Sequence, residues 1–151
     1  MSGRLRSLRR ARNGLAALEF ALVAPVLLLM MTGAYDIGMA QWHRMQVTNA
    51  ARAGAAFAGT HEWNAAAITQ SVTEATDYPS ITADPAPEKY CGCPNVTLGI
   101  VATACGGTCP TGGPVGTYVK VSARASYPFV LGYPGLPSPI VLTSTAIVRT
   151  Q

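Results

Sequence analysis

The segment that most limits this chain is residues 15–35, LAALEFALVAPVLLLMMTGAY, an apolar run that carries one charge, Glu19. As a helix rising about 1.5 Å per residue, it spans roughly the 30 Å of a bilayer's hydrocarbon core. The whole chain has 151 residues, too few to wrap such a helix on every side, so the run predicts a membrane span rather than a buried core helix. Pro25 removes one helical N–H and crowds the carbonyl of Ala21, which a membrane helix accommodates as a kink or local loosening. Arg4, Arg6, Arg9, Arg10 and Arg12 stand ahead of the run. Cationic residues beside a first apolar segment stay cytoplasmic, which predicts the N-terminus inside and everything after Tyr35 outside. The reading gives a basic leader at 1–14, a transmembrane helix at 15–35 and one external domain at 36–151.

The formal charge of +4 belongs to the leader. From Leu15 onward, six Lys/Arg (Arg44, Arg52, Lys89, Lys120, Arg124, Arg149) face seven Asp/Glu, a balance of −1. Nucleic-acid binding needs a basic face that releases counterions from phosphates, and six cations scattered along the external part do not make one. Glu19 is the more informative charge. A carboxylate inside a membrane segment costs at least a few kcal/mol unless it reaches an interface or a positive partner, which marks it as a functional candidate.

Gly14 closes the basic stretch, and Glu19 is the fifth residue after it. RRARNG followed by LAALEFALVAPVLLL resembles a class III prepilin signal. The resemblance implies a membrane aspartyl peptidase that cuts between Gly14 and Leu15 on the cytoplasmic side and leaves the apolar helix on the mature protein. It also implies a role for Glu19: a buried carboxylate neutralised by the N-terminal ammonium of a neighbouring subunit. Only cleavage creates an ammonium at Leu15.

Three longer stretches resemble the TadE family of minor pseudopilins from tight-adherence (Flp-type) pilus systems. GLAALEFALVAPVLLLMMTGAYDIG carries the Glu19-Phe20 pair, Pro25 six residues after the glutamate and the glycines closing the span. NAARAGAAFA, residues 49–58, matches the small-residue run by which that family extends its helix, and VKVSARASYPF with IVLTSTAIVR resembles its closing strands around a Tyr-Pro-Phe turn. The resemblance implies a bacterial inner-membrane protein of one pass, with its C-terminus periplasmic, in or at the tip of a pilus or beside it. Its implied partners are a prepilin peptidase, other minor pilins or the major pilin, the inner-membrane assembly machinery and the lipid bilayer. Glu19, Phe20 and Pro25 are the implied assembly residues.

The competing reading of the N-terminus is a cleavable secretory signal, with Thr32-Gly33-Ala34 as the small-residue site and Tyr35 as the mature start. The apolar region is longer than an ordinary signal core, carries Glu19, and runs into a further helical pattern.

Beyond the span, Gln41, Arg44, Thr48 and Arg52 recur at helical spacing, with Met39, Trp42, Ala50, Ala53 and Phe57 opposite, predicting a helix to about Gly59. Its small residues at 50–59 permit close packing, first of all within the subunit. A second helix is predicted over Asn64–Asp77, burying Ile68, Val72 and Ala75 and ended by Tyr78-Pro79. Residues 79–95, with Pro79, Pro85, Pro87 and Pro94, read as loop. Strands are predicted at 96–103, at 118–126, where Val119, Val121, Ala123 and Ala125 alternate with polar residues, and at 140–149. The fold class is α+β and pilin-like: one long helix, half in the membrane, packed on a small antiparallel sheet.

Cys91, Cys93, Cys105 and Cys109 lie in a Gly/Pro/Thr-rich stretch outside the predicted membrane, an even number where disulfides persist. Sequence leaves three connectivities open. A nested pairing, Cys91 with Cys109 and Cys93 with Cys105, fits a hairpin-like closure. Zinc is the alternative, against which C-x-C and C-x3-C depart from the usual C-x2-C knuckle. His43 and His61 have no nucleophile motif nearby, and Asp77, Asp84 and Glu88 match no cation-binding loop. No cofactor motif or catalytic constellation is found, so a structural subunit is expected rather than an enzyme. The alternative is an uncleaved, membrane-anchored periplasmic binding or scaffold protein.

Overall fold

The computed structural model describes the backbone of residues 2–150 and the side chains of 15–150. Helix α1 (Ser2–Thr60) runs without interruption through Pro25. From Leu15 to Thr60 it has 46 residues, a rod of roughly 70 Å. Helix α2 (Ala65–Thr73) follows after a short turn, and strands β1 (Glu88–Asn95), β2 (Gly99–Ala102), β3 (Gly116–Tyr127) and β4 (Ile140–Thr150) form one antiparallel sheet in the order β2-β1-β3-β4. The expected α+β arrangement, a long helix on a small antiparallel sheet, is what the chain adopts.

The outer half of α1 turns one stripe toward the domain. Asp36, His43, Val47, Ala50, Ala51, Ala55 and Ala58 are buried on it, a spacing of three and four residues that keeps them on one face. Trp42, expected on the apolar face, points outward instead. Beyond His43 the buried stripe is Val47 and alanines, and an indole on it would hold the sheet away. Gly54 is the tightest point. A Cβ at that position would run into Val72 of α2 and stand 2.8 Å from Val121 Cγ1 of β3, so the glycine lets helix and strand close on α1 together.

Helix α2 begins one residue later than the expected Asn64, because Asn64 is its cap: its Oδ1 accepts from Ala66 N–H and Ala67 N–H. It ends at Thr73, short of the expected Asp77, after two and a half turns in which Ile68 and Val72 complete the buried face. With Val119, Val121, Ala123 and Ala125 they form the core.

The sheet has four strands rather than three, and the extra one lies in the segment read as loop. β1 contains Gly92 and Pro94, poor strand formers. Pairing determines the strand: β3 flanks it from Glu88 to Gly92, and β2 from Gly92 to Asn95. Pro94 stands past the last β3 pair, Gly92 with Gly116, so its missing N–H interrupts no β3 ladder. The strand expected at 96–103 shrinks to β2, because Asn95 Oδ1 accepts from Thr97 N–H and Leu98 N–H and so folds residues 95–98 into a turn. Gly99 leaves that turn at φ +76°. Val96 is fully exposed at its tip.

Gly54→Ala is expected to lower stability by about 1–3 kcal/mol through overpacking, despite its better helix propensity. Thermal unfolding in detergent measures it; an unchanged or higher midpoint would mean that α2 and β3 have room to withdraw.

Candidate functional site

Two regions carry the candidate chemistry: the bare half of α1, and the junction where α1 enters the domain. In the bare half, Leu15, Leu18, Phe20, Leu22, Leu28, Leu29, Met30 and Met31 are all exposed, and so are Glu19 and Pro25. The most apolar stretch of the helix is covered by no other part of the chain. A helix apolar on every side and uncovered by its own domain fits a single-pass membrane anchor. Among the described residues, the ion pair is Arg124 with Asp84 at 2.8 Å, far along the chain from Glu19. Leu15 and Glu19 therefore share an uncovered helix, while the side chain of Arg12 and those of the other leader residues, with Gly14, fall outside the described side chains.

The junction centres on Asp36, one residue past the predicted span, whose carboxylate is fully buried. Four donors converge on it, one from the last residue of β3 and three from the β3–β4 connection. Val130 N–H lies 3.0 Å from Oδ1, Tyr127 OH 3.4 Å from Oδ1, Tyr133 OH 3.0 Å from Oδ2, and Leu131 N–H 3.4 Å from Oδ2. Burial pushes the Asp36 pKa up, but the donors of Val130, Tyr133, Leu131 and Tyr127 outweigh it, and the carboxyl ends below its ordinary 3.8. The same contact pushes the two phenols up: for Tyr127 through burial and then the Asp36 charge, for Tyr133 through burial and then its hydrogen bond to Asp36.

His43 sits two turns further along α1. Its Nδ1 donates to Met39 O at 2.7 Å, and its ring packs at 4.2 Å from Tyr78 and 4.8 Å from Tyr127. Tyr78 OH donates to Ser126 O at 2.8 Å. The histidine is buried and packs between two aromatic rings, one of which, Tyr127, also reaches Asp36. His61 stacks on Phe57 at 4.1 Å at the far end of α1. There an open groove of about 550 Å³ is lined by residues that include His61, Glu62, Trp63 and Lys89, without a set of polar groups aimed at one point.

Asp36 was not among the residues singled out from sequence. The available signals were its position as the sole charge between Glu19 and Arg44, and the absence of any charged residue between Arg124 and Arg149.

At the opposite end of the domain the cysteines form disulfides, and the pairing corrects the nested expectation. Cys91 bonds Cys105, and Cys93 bonds Cys109. The reason is register. The turn at 95–98 is tight, so Cys93 faces Val101 and the carbonyl of Cys91 already receives Thr103 N–H. Chain leaving β2 therefore passes Cys91 first, where Cys105 bonds it, and then doubles back toward Cys93. Closing loops with sequence separations of 14 and 16 contributes about 3 kcal/mol each in the chain-entropy view.

Fold and junction together define an α+β protein whose uncovered apolar helix fits a single-pass anchor. In comparison with known families, residues 14–56 match the model of the family described as TadE-like protein. The match begins at Gly14 and takes in Glu19, Phe20, Pro25, Asp36 and His43, and it is consistent with a TadE-like protein. It suggests involvement in a Tad pilus system, in association with pilus machinery. It ends before the sheet, so the resemblance of residues 119–129 and 140–149 to closing strands lies beyond it. Comparison with curated proteins gave no match, and neither did comparison with solved structures.

An acidic carboxyl that is buried and satisfied stabilises the fold at pH values well above 3.8, and that contribution is lost as pH falls below this value through the folded pKa. Asp36→Asn, which turns an amide donor toward the donors of the loop, is expected to lower the thermal midpoint at pH 7. The gap between the two proteins should narrow as the pH falls below 3.8. A gap of constant size across that range would show that the carboxylate charge is not what holds the loop.

Proposed function

We propose that the chain is a minor pilin-like subunit that takes part in assembling a tight-adherence pilus, processed after Gly14 and joined to other subunits through its membrane helix. The observation that carries this reading is the coincidence of two limits. The TadE-like match starts at Gly14, and the helix that follows is the part of α1 its own domain leaves bare. A helix exposed on all sides beyond its domain suits packing against lipid in one state and against copies of similar helices in another.

In this reading a prepilin peptidase cuts the Gly14–Leu15 bond and discards the arginine-rich leader. The new ammonium at Leu15 neutralises Glu19 of a neighbouring subunit, so that each carboxylate leaves the headgroup region only when a partner in register supplies the charge. Phe20 and Pro25 shape the contact face. The leader lies in the cytoplasm and the sheet in the periplasm, where the disulfides persist. The partners are other minor pilins or the major pilin and the inner-membrane assembly machinery, and the role is structural rather than enzymatic.

Co-expression with a prepilin peptidase followed by intact-mass measurement tests the central step. The expected product begins at Leu15. A membrane-bound product retaining residues 1–14 would favour an anchored binding or scaffold protein, and one beginning at Tyr35 a secretory signal. Under the same conditions Glu19→Gln is expected to be cut normally but to enter the assembly at least about tenfold less, in line with leaving an ammonium unpaired. Normal incorporation of that variant would remove the neutralising role.

A further inference from the structure

The β3–β4 connection, residues 128–139, descends along α1 rather than standing off it. Tyr127, at its start, is level with His43. Val130 and Leu131 then reach Asp36 through their backbone N–H groups. Tyr133 touches Asp36 and stands 3.8 Å from where a Cβ on Gly33 would be. His43 to Gly33 is a drop of roughly 15 Å along the helix axis at 1.5 Å per residue. Gly33 lies inside the predicted span, so the lowest part of the loop overlaps the last turn of the membrane helix. A bilayer's polar layers are only about 5–8 Å thick on each side, and a segment at this depth meets them.

The chemistry of the loop agrees with its depth. Between Arg124 and Arg149 no residue is Asp, Glu, Lys, Arg or His. Val130 is 64% exposed and Leu136 56%, apolar side chains that the domain does not use. Tyr133, with its hydroxyl spent on Asp36, and exposed Tyr35, next to Asp36 in the chain, are the amphipathic aromatics that membrane interfaces favour. Across the domain, the 95–98 turn points the other way: β1 continues past the last β3 pair, beyond the end of β3 opposite Tyr127.

We propose that residues 129–137 form a second membrane contact, lying in the headgroup layer on the domain's side of the bilayer with Val130 and Leu136 among the upper acyl chains. The occupant of this surface is lipid. Asp36 sets the depth by fixing the loop to the helix, and the two contacts together fix how the domain is tilted on the membrane. This rests on residues 15–35 being the span.

The test places single tryptophans in the full chain carrying Trp42→Phe and Trp63→Phe, reconstituted in phosphatidylethanolamine/phosphatidylglycerol vesicles. The probe sites are Leu27→Trp, Val96→Trp, Val130→Trp and Leu136→Trp, all at exposed positions. Emission is quenched either by lipids bearing a nitroxide near the headgroup or deep in the chain, or by aqueous iodide. Val130→Trp and Leu136→Trp are expected to be quenched at least about twofold more by the shallow lipid than by the deep one and to resist iodide. Leu27→Trp should answer to the deep lipid and Val96→Trp to iodide alone. If the two loop probes follow Val96→Trp while Leu27→Trp is still lipid-quenched, the loop proposal is overturned and the span stands. Loop probes shielded from lipid and iodide alike would overturn it in favour of a covering protein. A Leu27→Trp that escapes both lipids would instead remove the span itself.

Discussion

A single helix here has a bare apolar half that fits a membrane anchor and a half packed against its own domain, and a buried carboxylate marks where one gives way to the other. Between Leu15 and Met31, α1 carries one charge, Glu19, and its large apolar side chains are exposed. Above Asp36, the helix has one stripe of small residues against which α2 and the sheet close. Asp36 cannot sit at that boundary unpaired, because an isolated buried charge is among the most costly arrangements a fold can contain. The end of β3 and the β3–β4 connection supply four donors, and in doing so bring the base of the sheet to the foot of the exposed half of the helix. The position of the whole domain along α1 follows from that one requirement together with the close approach at Gly54.

Much of this was legible because long-period patterns survive without tertiary help. The apolar run at 15–35, the alternation of Val119, Val121, Ala123 and Ala125, and the apolar positions of 140–149 each state a periodicity that only one kind of element satisfies. The shorter elements were not legible, for a reason visible in β1. Its residues have no strand preference; two neighbouring strands and two crosslinks impose the conformation, and none of these is a property of the segment itself. The same holds for Trp42. Helical spacing marks a face of α1 as apolar, but which arc is buried depends on how close the sheet must come, and that is fixed by Gly54 and the alanines.

The candidate residues divide in the same way. The roles proposed for Glu19 and the Gly14–Leu15 bond rest on local signals: a charge in an apolar run, and a small residue at its edge. Asp36 has a meaning that lies in the loop it binds, and the aspartate alone says nothing of Tyr127 or Tyr133. The disulfide pairing was misread for a related reason. A plain hairpin predicts nesting, whereas the tight turn at Asn95 shifts the register so that the first cysteine to arrive meets the first already in place.

The hydrogen bonds at Asp36 join residues 91 and 97 positions apart in the chain. On a ribosome that feeds α1 toward the membrane first, these partners do not yet exist when the helix arrives. α2 and the β1–β2 hairpin have their neighbours close at hand in sequence, and loop closure favours them early. The tether nearest the membrane is therefore available only once residue 133 has emerged. Until then a nascent chain holds its helix and its carboxylate open together, and the completed base of the domain is a record that synthesis has passed that point.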